Sequence, residues 1–546
     1  PLIHSMLDFT LETLGFTPPR GMEAVGIFHH QPYLSRNYIA AALKPLSRAM
    51  REQWVDQMVN PFGQHEQKLQ AELSLSYLRM VSRPLRFLAR SPDQLPGLIA
   101  RYRAEVAEVA ALPLETVSEV EIVASIRELV FGTLSQLMNY DRLMIALVQI
   151  TYQMMGTLLQ RHFGEETEVI RAKLISGVAG NVTMETNKRL WDLALIAKAS
   201  PEVSSLIRRY SERGVRTYLE QTPEAQAFLD ELERFLGEYG HREIRLDILH
   251  PTWGEDPSPV FGFVRGYLDA DEAQSPHRQQ ARLASERQAL TEEVQARLEQ
   301  DVAGRYLLWP IFRWALRYSQ DHIGERETMH FELTRLFPPC RRLGLELGRR
   351  WTQGGIVARR DDVFFLSLDE MQEVAESPRS MLNKVRERRS EFEADKKRAW
   401  PDIIRGGQEI YAEGAQPADR AEGELHGLAG SPGVATGVAR VIRGPEEFGK
   451  LRDGDILVAP LTNPVWTPLF AIAGAVVTEV GGILSHGVIV AREYGIPAVT
   501  SVAGATNLVH EGQLVTVDGS KGIVYLRPDV AAGSHVDANP SQSMTH

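Results

Sequence analysis

A switch of hydrophobic period near residue 427 constrains this chain more than any other feature. Upstream, apolar residues recur at three- and four-residue spacing, as in Ile122, Ile126, Leu129, Val130 and Leu134, the pattern of amphipathic helices. Downstream, VATGVARVIR, DILVAP, GAVVT, QLVTV and GIVYL are short β-branched runs bounded by Gly, Pro and Asp, the pattern of strands. The expected fold is therefore multidomain: a mainly α-helical N-terminal domain over residues 1–411 and a small C-terminal mixed α/β domain over 427–527. Between them, AEGAQPADRAEGEL has linker composition, so 412–426 is expected to be a flexible connection between two self-contained cores. Residues 528–546 are expected to be disordered, since they bring little that could pack a core.

Local signals refine this outline. Ser91-Pro92, Ser200-Pro201, Thr222-Pro223 and Ser377-Pro378 each read as a hydroxyl N-cap followed by Pro at the first helical position. Thr116 and Glu119 have capping-box spacing. Gly240–Val260 reads as a long irregular loop between helices, and loops of that length are commonly functional. The charged run Arg379–Arg398 reads as a solvated helix with i,i+4 pairs. In the strand region a single helix is expected from His486 to Tyr494, closed by Gly495, and Asp518-Gly519 is expected to turn a hairpin.

Lys+Arg number 60 against 71 Asp+Glu, a net charge of −11, which disfavours nucleic acid as the main partner. The one cysteine, Cys340, excludes a disulfide framework and a cysteine-based zinc site. No apolar run reaches the length of a membrane-spanning helix, and PLIHSMLDFTLETLGF lacks the signature of a signal peptide. A cytoplasmic location without membrane contact is the expectation.

The chemistry concentrates in VVTEVGGILSHGVIVAREYGIPAV, Val476–Val499. A strand running through Gly481-Gly482 and Ser485-His486-Gly487 into a helix makes an anion site, because first-turn N–H groups and the helix dipole both favour a phosphate. A neutral imidazole at that point, His486, is suited to accept a phosphoryl group. Thr478 and Ser485 can hold the ring or a phosphoryl oxygen, with Gly481, Gly482 and Gly487 allowing close approach. Arg492 faces either the strands or solvent.

The whole pattern resembles the phosphohistidine, or swivelling, domain of the phosphoenolpyruvate-utilising enzymes. The matching pieces are Gly430-Ser431-Pro432-Gly433 with Gly437, TNPVWTPL at Thr462–Leu469, and Thr478–Val499, with Gly487 where the family more often has alanine. The resemblance implies that His486 carries the phosphoryl group in a β/β/α swivelling domain. It extends upstream through Pro1-Leu2, Tyr33-Leu34, Tyr239–Pro257, Arg326-Glu327 and Asp361–Glu370. The domain order resembles rifampicin phosphotransferase or the larger subunit of phenylphosphate synthase, without an ATP-grasp domain. A missing N-terminus or a partner subunit is expected to supply that module, together with ATP and Mg²⁺. The family start usually reads threonine, proline, leucine, so a fragment or a split gene is expected. No pyruvate-handling barrel is expected after Leu526.

The function implied is transfer of a phosphoryl group from His486 to a hydroxyl of a small acceptor, rifamycin-like or phenolic, held by the helical domain. His241 is the expected base and Arg326 the expected cation at the transferring group. Arg242, Glu327, His330 and Trp253 are the expected acceptor contacts, and no metal site is expected in this chain. The alternatives are a phosphoenolpyruvate synthase-like fragment and a non-catalytic binding or regulatory homologue.

Overall fold

A computed structural model describes residues 94–395 (apart from 179, 243–246, 271, 273 and 274) and 423–526 (apart from 464, 465, 483 and 484). It also describes residue 41 and two hairpins, β1 (Val25–Phe28) with β2 (Gln31–Leu34) and β3 (Ile403–Arg405) with β4 (Gln408–Ile410). Ser91-Pro92, the linker residues 412–422 and the tail after Leu526 lie outside the described residues, as do Pro1-Leu2.

Residues 94–395 are helical. The elements are α1 (Gln94–Ala110), α2 (Glu119–Phe131), α3 (Thr133–Phe163), α4 (Thr167–Leu174), α5 (Val182–Ala199), α6 (Pro201–Arg209), α7 (Gln226–Tyr239), α8 (Ser258–Leu268), α9 (Pro276–Leu298), α10 (Trp309–Leu333), α11 (Phe337–Gln353), α12 (Leu368–Glu376) and α13 (Leu382–Asp395). The long helices α3 and α10 lie side by side, tied by Thr151 and Ser319 hydroxyls 2.8 Å apart. In α2 the predicted apolar stripe is the buried face, with Ile122, Val123, Ile126 and Leu129 all buried.

Two local expectations are corrected. The capping box at α2 is Ser118 with Glu121, because Ser118 is the residue in extended conformation before the first turn; Thr116 Oγ1 instead donates to the Pro113 carbonyl. Ser377-Pro378 ends α12 rather than opening a helix, and α13 starts at Leu382, since α12 already carries a capping box at its own start, Ser367 with Glu370. The charged α13 also pairs across to other elements, Arg388 with Glu370 and Arg389 with Asp361 and Asp362. Ser200-Pro201 does cap α6, its Oγ accepting from Val203 N–H.

The C-terminal part is an eight-stranded mixed sheet made of β5 (Glu424–His426), β6 (Leu428–Ser431), β7 (Val434–Val441), β8 (Ile456–Ala459), β9 (Ala475–Thr478), β10 (Ala498–Thr500), β11 (Leu514–Asp518) and β12 (Ile523–Leu526), in the order β5-β12-β11-β7-β8-β9-β10-β6. Pairs β7–β8, β8–β9 and β9–β10 are parallel, and the others antiparallel. β8 and β9 are buried along their whole length, as strands covered on both faces must be. Glu424–His426 pairs with β12, so the last residues assigned to the linker belong to the sheet. Asp518 caps the β11–β12 turn, its Oδ1 accepting from Ser520 and Lys521 N–H.

Each part has a core of its own, around Leu343 and Trp351 in the helices and around Val458 and Val477 in the sheet, but a further cluster is shared between them. Phe261, Phe263, Tyr267, Trp191 and Phe331 of the helical part share one buried cluster with Leu457, Trp466, Phe470, Val490 and Tyr494 of the sheet part. Phe448 bridges them, its ring 6.0 Å from Phe263 and 4.9 Å from Trp466. The period switch marks the change of secondary structure, but two amphipathic faces have still merged across it.

Candidate functional site

The site lies where the sheet part meets the helical part. β9 runs into the Gly481-Gly482 turn, and α14 (Thr467–Phe470) lies beside the helix that follows, α15 (His486–Tyr494). Gly481 has φ of 153°, and a Cβ there would overlap Thr500 Oγ1 and crowd Ser485, so glycine is required. Ser485 takes the N-cap position with extended backbone, yet its side chain makes no capping bond, and its N–H donates to the Gly482 carbonyl at 2.9 Å. Gly495 closes the helix in left-handed conformation, as the sequence implies.

His486 is buried. Its Nδ1 lies 3.0 Å from Glu327 Oε2 on α10, 159 residues away in the chain. The same oxygen accepts from Thr183 Oγ1 at 2.8 Å, and Thr183 is itself set by Asn181, which caps the start of α5. A carboxylate oxygen that accepts twice makes His486 Nδ1 the donor, because an ionised carboxylate has no proton to give. The neutral ring then carries its lone pair on Nε2, and Thr467 Oγ1 stands 3.2 Å from it. Glu327 is only 3% exposed, so this is a desolvated carboxylate–imidazole pair built across the two parts of the chain.

Behind Glu327 sits Arg242, buried against the rings of Phe331 (5.3 Å) and Trp253 (5.8 Å). Burial lowers its guanidinium to about 10, and the charge of Glu327 works the other way. His241 Nε2 is 3.1 Å from the Phe331 carbonyl, which makes that nitrogen the donor. Burial, then the charges of Arg335 and Arg242, hold the His241 imidazole down to about 3. It is thus a neutral hydrogen-bonding group and a weak base.

Trp253 is a core residue, packed between Phe235 and Phe263, rather than the wall of an open acceptor pocket. The loop it anchors is closed by Trp253 N–H donating to Arg242 O and Gly254 N–H to Gly240 O, both at 2.8 Å. His330 lies on α10 one turn beyond Glu327 and is half-buried. Arg326 is on the same helix, and its side chain lies outside the described residues.

Thr478 binds Thr500, their hydroxyls 2.8 Å apart. Gly487 is more than a tolerated departure: a Cβ there would overlap Thr462 Oγ1. Arg492 faces the strands, its Nε donating to the Gly430 carbonyl at 2.9 Å. Sequence reasoning missed Thr183 and Thr467. The second stands inside the quoted TNPVWTPL stretch, whereas nothing near Thr183 signals its partner.

Two family models match the chain: the rifampicin phosphotransferase fourth domain over residues 142–327, and the mobile domain of the PEP-utilising enzymes over 451–522. Glu327 ends the first match and His486 lies within the second. The chain is therefore similar to PEP-utilising enzymes and resembles rifampicin phosphotransferase. It is 31% identical over 357 residues to an uncharacterized phosphotransferase, YvkC, of Bacillus subtilis, covering 63% of this chain and 42% of that one. It is 28% identical over 354 residues to the rifampicin phosphotransferase of the same organism, covering 65% and 41%. With a transferase of prodigiosin synthesis from Serratia marcescens it shares 30% over 363 residues, covering 63% and 39%. The chain thus spans about two fifths of the length of these relatives. No helix among the described residues is long and apolar enough to cross a membrane.

Proposed function

We propose that this chain carries a phosphoryl group on Nε2 of His486 and passes it to a hydroxyl of a small organic acceptor held by the helical part. The observation that carries this reading is the Glu327–His486 contact across the two parts. It fixes the tautomer that leaves Nε2 nucleophilic, and it puts a buried carboxylate against the ring that would carry the group. In the transfer step the bond from Nε2 to phosphorus breaks as the acceptor oxygen forms its own, and the hydroxyl proton goes to Glu327. Glu327 takes the base role in place of His241, because a group held near 3 removes protons poorly at neutral pH. Arg242 supplies positive charge behind the carboxylate, and Arg326 remains the proposed cation at the transferring oxygens.

Charging would come from an ATP-grasp module, in a longer chain or a partner subunit, which would bring ATP and Mg²⁺. Among the described residues no three His, Cys, Asp or Glu side chains converge as a metal site. The sheet part would leave the helices to be charged and return to discharge. The names of the relatives support a hydroxyl-bearing acceptor of the rifamycin class, with a simple phenol as the second choice. To test this, the chain is mixed with an ATP-grasp protein and labelled ATP, and label is followed on the chain and then on rifampicin or phenol. Label that never leaves the chain for any hydroxyl compound would contradict the acceptor reading.

A further inference from the structure

The far end of the His486 helix makes a second contact with the helical part. Glu493 is 2% exposed, and its Oε2 accepts from Gly177 N–H at 3.1 Å, with the Val178 N–H also bonded to the carboxyl. These amides belong to the loop between α4 and α5, which turns through left-handed Gly177 (φ 63°) and Gly180 (φ 82°). A Cβ on Gly177 would stand 2.7 Å from Leu283 Cβ, so only glycine lets the loop present its amides here. The charged groups facing Glu493 are Arg287 of α9, Glu327 of α10 and, on its own helix, the buried Arg492. Arg287 Nη1 donates to the Ser176 carbonyl at 2.6 Å, and among the described residues no cation comes within ion-pair distance of Glu493. Next to it, the Tyr494 hydroxyl accepts from Asn187.

We propose that Glu493 is the positioning residue that seats the His486 helix on the helical part, and that each docking event carries a proton into the interface on its carboxyl. Two backbone amides recognise the carboxyl oxygens, but two amides do not offset the burial of a full negative charge. Burial accordingly raises the Glu493 carboxyl to about 8. Swung out, as the proposed function requires, the group is solvated and titrates in the ordinary carboxyl range. The docked form binds the proton more tightly, so docking is favoured at low pH. That advantage is lost as pH rises from about 4.5 to about 8 and is gone above it. Between pH 6 and 9 the docking constant should fall by roughly two orders of magnitude.

The test is made on the full chain with spin labels at Arg234→Cys and Lys521→Cys, both exposed. His486→Asn, placed in every sample, removes the imidazole's own titration. Distance distributions between pH 6 and 9 should show a docked population that shrinks as pH rises. Glu493→Gln, which keeps an acceptor for Gly177 N–H without the charge, should stay docked throughout. Glu493→Ala should be undocked throughout. A docked fraction in Glu493→Gln that falls as steeply as in the parent would overturn the proposal. One fixed distance in every variant would overturn it together with the swinging-domain reading, whereas two populations indifferent to Glu493 would overturn this inference alone.

Discussion

Replacing Glu327 by Gln leaves the shape of the site and removes its charge. In the parent, Oε2 accepts from His486 Nδ1 at 3.0 Å and from Thr183 Oγ1 at 2.8 Å, in a position 3% exposed. A hydrogen bond to a charged group in such a place is worth about 1.5–3 kcal/mol. At about 1.4 kcal/mol per factor of ten, that alone slows discharge on the order of 10- to 150-fold. Loss of the general base adds a factor of roughly 100 or more. The amide can also turn its NH₂ toward Nδ1 and stabilise the tautomer whose Nε2 is protonated. Charging takes place away from the helices in this account, so it should be nearly unchanged. The assay is rapid quench with labelled phosphoprotein, separating the rate of label gain from the rate of loss to the acceptor. Discharge of Glu327→Gln within threefold of the parent, with normal charging, would refute the role given to this carboxylate.

Thr183→Val should slow discharge by about five- to tenfold through the loss of one buried hydrogen bond of about 1 kcal/mol, with charging unaffected in the same quench assay. Gly487→Ala should destabilise the chain by about 1–3 kcal/mol through overpacking against Thr462, and Thr462→Ala in the same chain should restore most of the loss in denaturant titration. Trp253→Ala, which empties a core position between Phe235 and Phe263, should cost about 3–5 kcal/mol, also read by denaturation. The side-chain bond from Arg388 holds the Glu370 carboxyl down to about 2, below its ordinary 4.5, so this group adds stability above pH 4.5 that is lost as pH falls toward 2. Arg388→Met should lower the melting temperature at pH 7 and leave a shallower acid limb between pH 4.5 and 2.

Much of the sheet part was legible because its signals are local. The runs QLVTV and GIVYL, the Asp518-Gly519 turn and the Gly495 terminus each specify their own backbone, and the strands and helix appear where expected. His486 at a helix start followed from the same kind of signal. The Glu327–His486 pair was not legible, because 159 residues of intervening chain bring the two together. Arg326-Glu327 was singled out as a dipeptide for the acceptor, and nothing local in it signalled that Glu327 would meet His486. The shared core was missed for a related reason. A polar, small-residue linker implies separability, whereas Phe448, Trp466 and Tyr494 show their apolar surface to the helices only once both parts are folded. Proline signals failed at Ser377-Pro378, where the same dipeptide suits a helix end as well as a helix start.

The most direct measurement of the central claim is the position of the phosphoryl group. The chain is charged with an ATP-grasp protein and labelled ATP, digested under alkaline conditions and mapped by mass spectrometry, with His486→Ala run in parallel. Acid-labile label is expected on Nε2 of His486, none on the variant, and loss of the label when the acceptor is added. Equal label on His486→Ala, or label on His486 at Nδ1, the nitrogen that faces Glu327, would contradict the proposed mechanism.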